Sequence, residues 1–246
     1  ERKRLGRGPA RGAAQSLDRG LPVLETRISL IRPDGPYYRG RSAVAAARDG
    51  ATLEDIARLL WDCGSQDPFA DPPGDWPASI APLAGDAELP PLSRAMAAIP
   101  LLALHVPHSF QADQPTRHAV AATLLRQNAA LLVARHPAGP VHHLLGEAWR
   151  PGDAGFAELV RAALVVCADH ELNVSAFAAR VVASTGAHLH ATVCSGLAAL
   201  SGPRHGGATA RAYALIADAR DAASARAFIT ERWQRGDDLP GFGHAL

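Results

Sequence analysis

The sequence predicts a mostly α-helical protein. Three observations carry that expectation. Apolar residues recur at helical spacing through most of the chain beyond residue 52. The helical stretches are bounded by Pro, Gly or Asp, the residues that end helices. Strand-type alternation occurs once only, around Pro33-Asp34-Gly35.

Each element follows in order. In LETRISLIRPDGPYYRG the alternation lies on both sides of a Pro-Asp-Gly turn, so 24–31 and 37–39 are expected to pair as a minor β-hairpin, the only sheet. Thr52 is placed to cap a helix. Asp55 at the third position makes a weaker form of the capping box, and Leu53, Ile56, Ala57 and Leu60 form one apolar stripe. The segment 67–91 holds seven prolines and is expected to be a loop. Helices are expected over 92–104, 116–135, 141–148 and 155–168. From 174 to 200, VSAFAARVVASTGAHLHATVCSGLAAL puts small residues on nearly every face. That predicts a buried helix packed on several neighbours, with Gly186 either a bend or a tolerated small residue. A further alanine-rich helix is expected just after GPRHGG.

Composition bounds the function. The chain has 246 residues, 48% of them hydrophobic and 20% charged, enough for one large core or a large domain with a smaller lobe. With 25 basic and 24 acidic residues, the overall field gives no reason to expect a nucleic-acid partner. The local exception is ERKRLGRGPAR, where five arginines and lysines stand against Glu1. It reads as a solvated tail, the other reading being a DNA-touching arm. Cys63, Cys167 and Cys194 are far apart, without a C-x-x-C pair, which fits a reducing cytoplasm; Cys167 and Cys194 read as core fillers. No apolar run reaches the roughly 18 residues of a membrane span and no signal-peptide pattern opens the sequence. A soluble, cytoplasmic protein is expected.

Several chemistries are excluded. Lys3 is the only lysine and lies in the basic tail, so a Schiff-base enzyme has no nucleophile. There is no G-x-S-x-G elbow, no phosphate-loop GK[ST], and GPRHGGA and GFG fall short of G-x-G-x-x-G. Eleven histidines raise the question of metal. His188 and His190, two apart, would point some 200° apart on a helix, and His105 and His108 have no carboxylate or cysteine at ligand spacing, so no metal site is expected. Three histidines stand out by context: His170 in ADHELNVSAF, His205 in GPRHGGA and His244 in LPGFGHAL. Each sits in a polar or glycine-rich turn between helices, where a side chain can face a cleft.

These residues carry a resemblance. DHELNVSAFAARVVASTGAHLHATVCSGLAALSGPRHGGATA, followed by LPGFGHAL, resembles the citrate synthase family, and YYRGR with ATLEDIARLLW resembles its amino-terminal part. The likeness runs from about Leu21 to the end, with the three histidine motifs in the family's order. It implies an all-α, multi-helix fold in which a large and a small domain close over a cleft, and a homodimer. On this basis 1–20 form a basic segment, 21–203 the large helical domain and 204–246 the start of the small domain.

The implied activity is an acyltransferase reaction of the tricarboxylic acid cycle. Acetyl-CoA condenses with oxaloacetate without metal or other cofactor, and the citryl thioester is hydrolysed to citrate and CoA; propionyl-CoA would give 2-methylcitrate. Carried over by motif, His205 matches the histidine that stabilises the enol of acetyl-CoA. His244 matches the one that polarises the oxaloacetate carbonyl, and His170 a histidine that binds oxaloacetate. The chemistry agrees, since a carbon nucleophile made from a thioester without lysine or metal needs a base at the methyl group and a donor at the carbonyl oxygen. At a helix amino terminus a neutral imidazole can be that donor, and Gly206 and Gly207 are expected to leave room for the thioester.

The sequence also departs from the family. The resemblance puts the general base, an aspartate, and the arginines that clamp oxaloacetate beyond the GFGH motif, and Asp218, Asp221, Asp237 and Asp238 do not match that aspartate. The expectation is therefore a chain truncated at both ends and impaired in catalysis. The alternative is a non-catalytic binding or regulatory homologue, linked to an upstream helix-turn-helix segment such as some bacterial relatives carry. Position in the chain sets the two apart, through what flanks Glu1 and Leu246.

Overall fold

A computed structural model describes residues 26–106, 113–170, 173–203, 205–219 and 221–241. The basic segment 1–20, His108 and His244 lie outside the described residues. The described residues hold eleven α-helices and one small antiparallel sheet, an all-α architecture with a minor β element. No described helix is long and apolar enough to cross a membrane.

The sheet begins at β1 (Ser29–Arg32) and β2 (Gly35–Tyr38), whose register pairs Ser29 with Tyr38 and Arg32 with Gly35. The turn falls at Pro33-Asp34, and Gly35 follows at φ 124°, a conformation that L side chains rarely adopt. A two-residue β3 (Arg41–Ser42), not anticipated from the alternation, extends the hairpin to three strands. Its Ser42 hydroxyl then caps α1 (Ala43–Arg48). Thr52 and Asp55 form the reciprocal capping box of α2 (Leu53–Trp61), of which Ile56 and Ala57 are buried.

The proline-rich segment is not wholly loop. Pro82 lies in the first turn of α3 (Ala81–Gly85), where its missing N–H and fixed φ suit helix entry, and α4 (Pro91–Leu102) starts in the same way. Pro100 in the last turn of α4 cannot donate to the Met96 carbonyl. The Cys194 thiol approaches that oxygen instead, at 3.8 Å. A short 3-10 turn, Ala103–His105, follows. Then come α5 (Gln114–Leu132), α6 (Val141–Trp149) and α7 (Ala154–Val166), close to the spans expected from periodicity.

The chain divides into two compact units, Glu1–Gly196 and Leu197–Leu246. In the first, one core cluster joins Tyr38, Ala43, Ala47, Ile56 and Val165, and another joins Ala129, Val141, Leu145 and Val160. Small residues let helices approach closely: a Cβ built on Gly146 of α6 would stand 2.7 Å from the Ala157 Cβ of α7. Arg94 of α4 is 2% exposed and donates to the carbonyls of Leu131, Leu132, Asp86 and Leu89, so a buried cation closes the carboxyl end of α5.

The expected buried helix over 174–200 is corrected in two ways. It is two helices, α8 (Val174–Ser184) and α9 (Leu189–Leu200), separated at Gly186, whose φ of 81° is a left-handed break. Nor is it interior to the chain: α8 has no buried residue, and Val174 and Val181 are about half exposed. The helix buried on several faces is the carboxyl half of α5, where Ala122, Leu124, Gln127, Ala129, Ala130 and Leu131 all lie inside. Cys167 is likewise exposed at the end of α7 rather than a core filler, while Cys63 is buried and Cys194 half-buried. The second unit comprises the end of α9, α10 (Gly207–Asp218) and α11 (Ala222–Arg235), the last capped by the Asp221 carboxylate.

Candidate functional site

His170 follows the end of α7, in the link to α8. That helix starts under a cap in which the Asn173 side chain accepts from the Ala176 N–H at 2.8 Å. The turn carrying His170 is pinned from the hairpin. The Tyr38 hydroxyl donates to the Val166 carbonyl at 2.9 Å and accepts from the Asp169 N–H at 3.3 Å. Burial raises the Tyr38 phenol above its ordinary range, so it keeps its proton as a donor. The Ser29 hydroxyl donates to the Asp169 carboxylate. His170 itself is exposed, with Nδ1 3.2 Å from the Asp169 carbonyl oxygen.

His205 lies in the second unit, in the turn between α9 and α10, two residues ahead of Gly207. It is half-buried. Its N–H and that of Gly207 both bond the Gly202 carbonyl, at 3.0 and 3.1 Å, while its own carbonyl accepts from the Ala208 N–H. The two glycines beside it have a packing reason for being glycine. Gly206 has ordinary helical φ and ψ, but a Cβ there would stand 2.4 Å from the Leu200 carbonyl oxygen; one on Gly207 would stand 3.2 Å from that of Gly202. The tight turn thus excludes a side chain at 206 and crowds one at 207.

Of LPGFGHAL, the described part ends at Gly241. Its φ of 93° needs glycine, and a Cβ there would lie 3.2 Å from the Ala212 side chain of α10. Two aspartates of this unit, Asp221 and Asp237, are held by local partners. Asp221 accepts from the Ser224 N–H at 2.7 Å, which with the Ser224 hydroxyl holds its carboxyl below the usual range, and Asp237 accepts from Arg235.

Histidine spacing misled in one respect. His188 precedes α9 rather than lying in it, and its Nδ1 accepts from the Ala191 N–H at 3.1 Å, so the 200° separation of helical positions does not apply. The His188 and His190 rings meet edge-on, with centroids 5.8 Å apart. His190 is 2% exposed, and burial pushes its pKa from 6.5 down to about 4. His142, buried beside His143, is shifted in the same direction chiefly by burial. Near it, Glu54 accepts from the Val141 N–H at 2.8 Å and closes the amino end of α6. Among the described residues no three His, Cys, Asp or Glu side chains converge as a metal site. None of these buried groups was marked by a motif; Glu54 and Arg94 look in sequence like ordinary solvated helix charges.

The family described as citrate synthase, C-terminal domain, matches residues 85–246. The chain is 39% identical over 106 residues to the 2-methylcitrate synthase of Shewanella oneidensis, covering 43% of this chain and 28% of that protein. It is 41% identical over 94 residues to putative citrate synthase 2 of Mycobacterium tuberculosis, covering 38% and 25%. The matched part thus spans about a quarter of those relatives' length. In fold it is similar to the citrate synthase of Thermoplasma acidophilum, solved as a ternary complex with carboxymethyl coenzyme A and oxaloacetate. The TM-score is 0.70 at 22% identity, over 92% of this chain and 66% of that one. It is also similar to the Thermotoga maritima enzyme, with a TM-score of 0.69 at 19% identity over the same shares.

Proposed function

The chain belongs to the citrate synthase family, and on that premise we propose that it serves the condensation of acetyl-CoA with oxaloacetate. The bond formed joins the thioester's methyl carbon to the ketone carbon of oxaloacetate. Water then cleaves the citryl thioester, releasing citrate and CoA, and no metal or other cofactor takes part. His205 donates to the oxygen on which enolate charge develops, His244 polarises the oxaloacetate carbonyl, and His170 binds oxaloacetate. The observation that carries this reading is the family match over 85–246, which contains all three histidine motifs in order. None of Asp218, Asp221, Asp237 and Asp238 is assigned as the base. Asp221 caps α11 and Asp237 pairs with Arg235, which supports leaving them out.

The same reading makes residues 204–246 the beginning of a small domain and makes the protein a cytoplasmic homodimer. Free Cys63, Cys167 and Cys194 support the reducing compartment. The unburied, largely apolar α8 supports a second copy as its cover. A 2-methylcitrate synthase activity with propionyl-CoA is the second reading, favoured by the Shewanella relative.

The test is a thiol-release assay on the protein as encoded in its full reading frame, with oxaloacetate and each acyl-CoA. His205→Ala is expected to lower kcat by about 100-fold, the scale of losing one preorganised donor, with little change in the KM for oxaloacetate. Near-normal turnover of that variant overturns the assignment, and a higher kcat/KM with propionyl-CoA favours the second reading.

A further inference from the structure

We infer that Ser29 and Tyr38 of the hairpin, acting through Asp169, are positioning residues for His170, so that a sheet remote in sequence sets the geometry of the oxaloacetate site. The inference rests on the reading of His170 as an oxaloacetate-binding group.

His170 is exposed, so packing alone does not fix its ring. What restrains it is the 3.2 Å contact between Nδ1 and the Asp169 carbonyl oxygen. A carbonyl only accepts, so this hydrogen bond requires the proton on Nδ1 and turns Nε2 toward whatever the ring meets next. The direction of that carbonyl depends on how residue 169 is held, and Asp169 is held at two points. Its N–H donates to the Tyr38 hydroxyl, and its carboxylate accepts from the Ser29 hydroxyl. The two partners stand 131 and 140 residues away in sequence, yet the register of β1 and β2 makes them one cross-strand pair. They are firm supports: Tyr38 is fully buried in the core and Ser29 is 8% exposed. The same Tyr38 hydroxyl also holds the Val166 carbonyl, which ties the end of α7 and the turn to one atom.

A support of this kind resembles the outer-shell partners that orient a ligating imidazole. A network that only fastened the hairpin to α7 would act differently. Losing it would reduce the amount of folded enzyme, lowering kcat while leaving both KM values alone.

The experiment compares Ser29→Ala, Ser29→Thr, Tyr38→Phe and His170→Ala in the protein as encoded in its full reading frame, by steady-state thiol release. Ser29→Ala and Tyr38→Phe are expected to raise the KM for oxaloacetate by about 10-fold, the lower end for losing an outer-shell partner, with the KM for acyl-CoA unchanged. Ser29→Thr, which keeps the hydroxyl, should restore it. In a His170→Ala background, Ser29→Ala should add nothing further to the KM for oxaloacetate. A raised KM in His170→Ala with unchanged values in the two hairpin variants overturns the positioning role alone. An unchanged KM in His170→Ala overturns the reading of His170, and the positioning role falls with it. A drop in kcat alone, or an equal effect of Ser29→Ala with and without His170, makes the network structural and overturns the inference. Ser29→Ala carries the test if Tyr38→Phe fails to fold.

Discussion

The two compact units are built on different principles. The unit Glu1–Gly196 has an interior: alanines and aliphatics from several helices, and the buried ionic side chains Arg94, which donates to backbone carbonyls, and Glu54, whose Oε1 accepts from a backbone N–H. In Leu197–Leu246, Leu215 is the one buried residue among those described, while Tyr213, Ile216 and Trp233 are each more than 70% exposed. Its helices rest on local devices: the Asp221 cap, the Gly236 left-handed terminus and the Arg235 pairs with Glu231 and Asp237. Such exposed pairs contribute a few tenths of a kcal/mol each. Tertiary packing therefore dominates the first unit and local helix chemistry the second, and substitutions should divide along that line.

The largest effect is expected at Arg94. Arg94→Leu strands the carbonyls of Leu131, Leu132, Asp86 and Leu89, and should cost about 3–5 kcal/mol of unfolding free energy in denaturant titrations. A cost below about 1 kcal/mol would erase the contrast between the units.

Next comes His190, through pH. Its folded pKa lies near 4 because of burial, below its ordinary 6.5. As pH falls through 6.5 the unfolded chain gains a proton there that the folded chain refuses until about pH 4, so stability drops across that window. The loss should be at most roughly 3 kcal/mol, with His142 adding in the same direction. His190→Gln should flatten the pH 4–6.5 limb of a stability profile. An unaltered slope would show that His190 charges freely when folded.

Gly146→Ala tests the close approach of α6 and α7. The added methyl meets Ala157 at 2.7 Å and should cost about 1–3 kcal/mol, read as a lowered Tm. The smallest effect is expected in the second unit: Trp233→Ser, at a side chain 73% exposed, should stay within about 0.5 kcal/mol. A loss above about 2 kcal/mol in the protein of the full reading frame would show that the exposed face of α11 is covered there, and would sharpen the contrast into one between a finished core and a shared one.

Local signals in the sequence determined the helical class, the hairpin turn at Pro33-Asp34, the Thr52–Asp55 capping box and the spans of α4 to α7, because caps, breakers and periodicity act within a few residues. The histidine motifs determined which family the chain resembled. Burial was decided elsewhere. Small apolar residues line both α5 and α8, and only the placement of other helices makes the first interior and leaves the second uncovered. Arg94 and Glu54 read as solvated charges until tertiary structure brings the unpaired ends of α5 and α6 against them. Gly206 is required by the Leu200 carbonyl six residues earlier, and Ser29 and Tyr38 reach Asp169 across more than a hundred residues. A hydrogen bond or a steric limit depends on atoms within a few ångströms in space, and sequence spacing reports those only when they belong to the same turn.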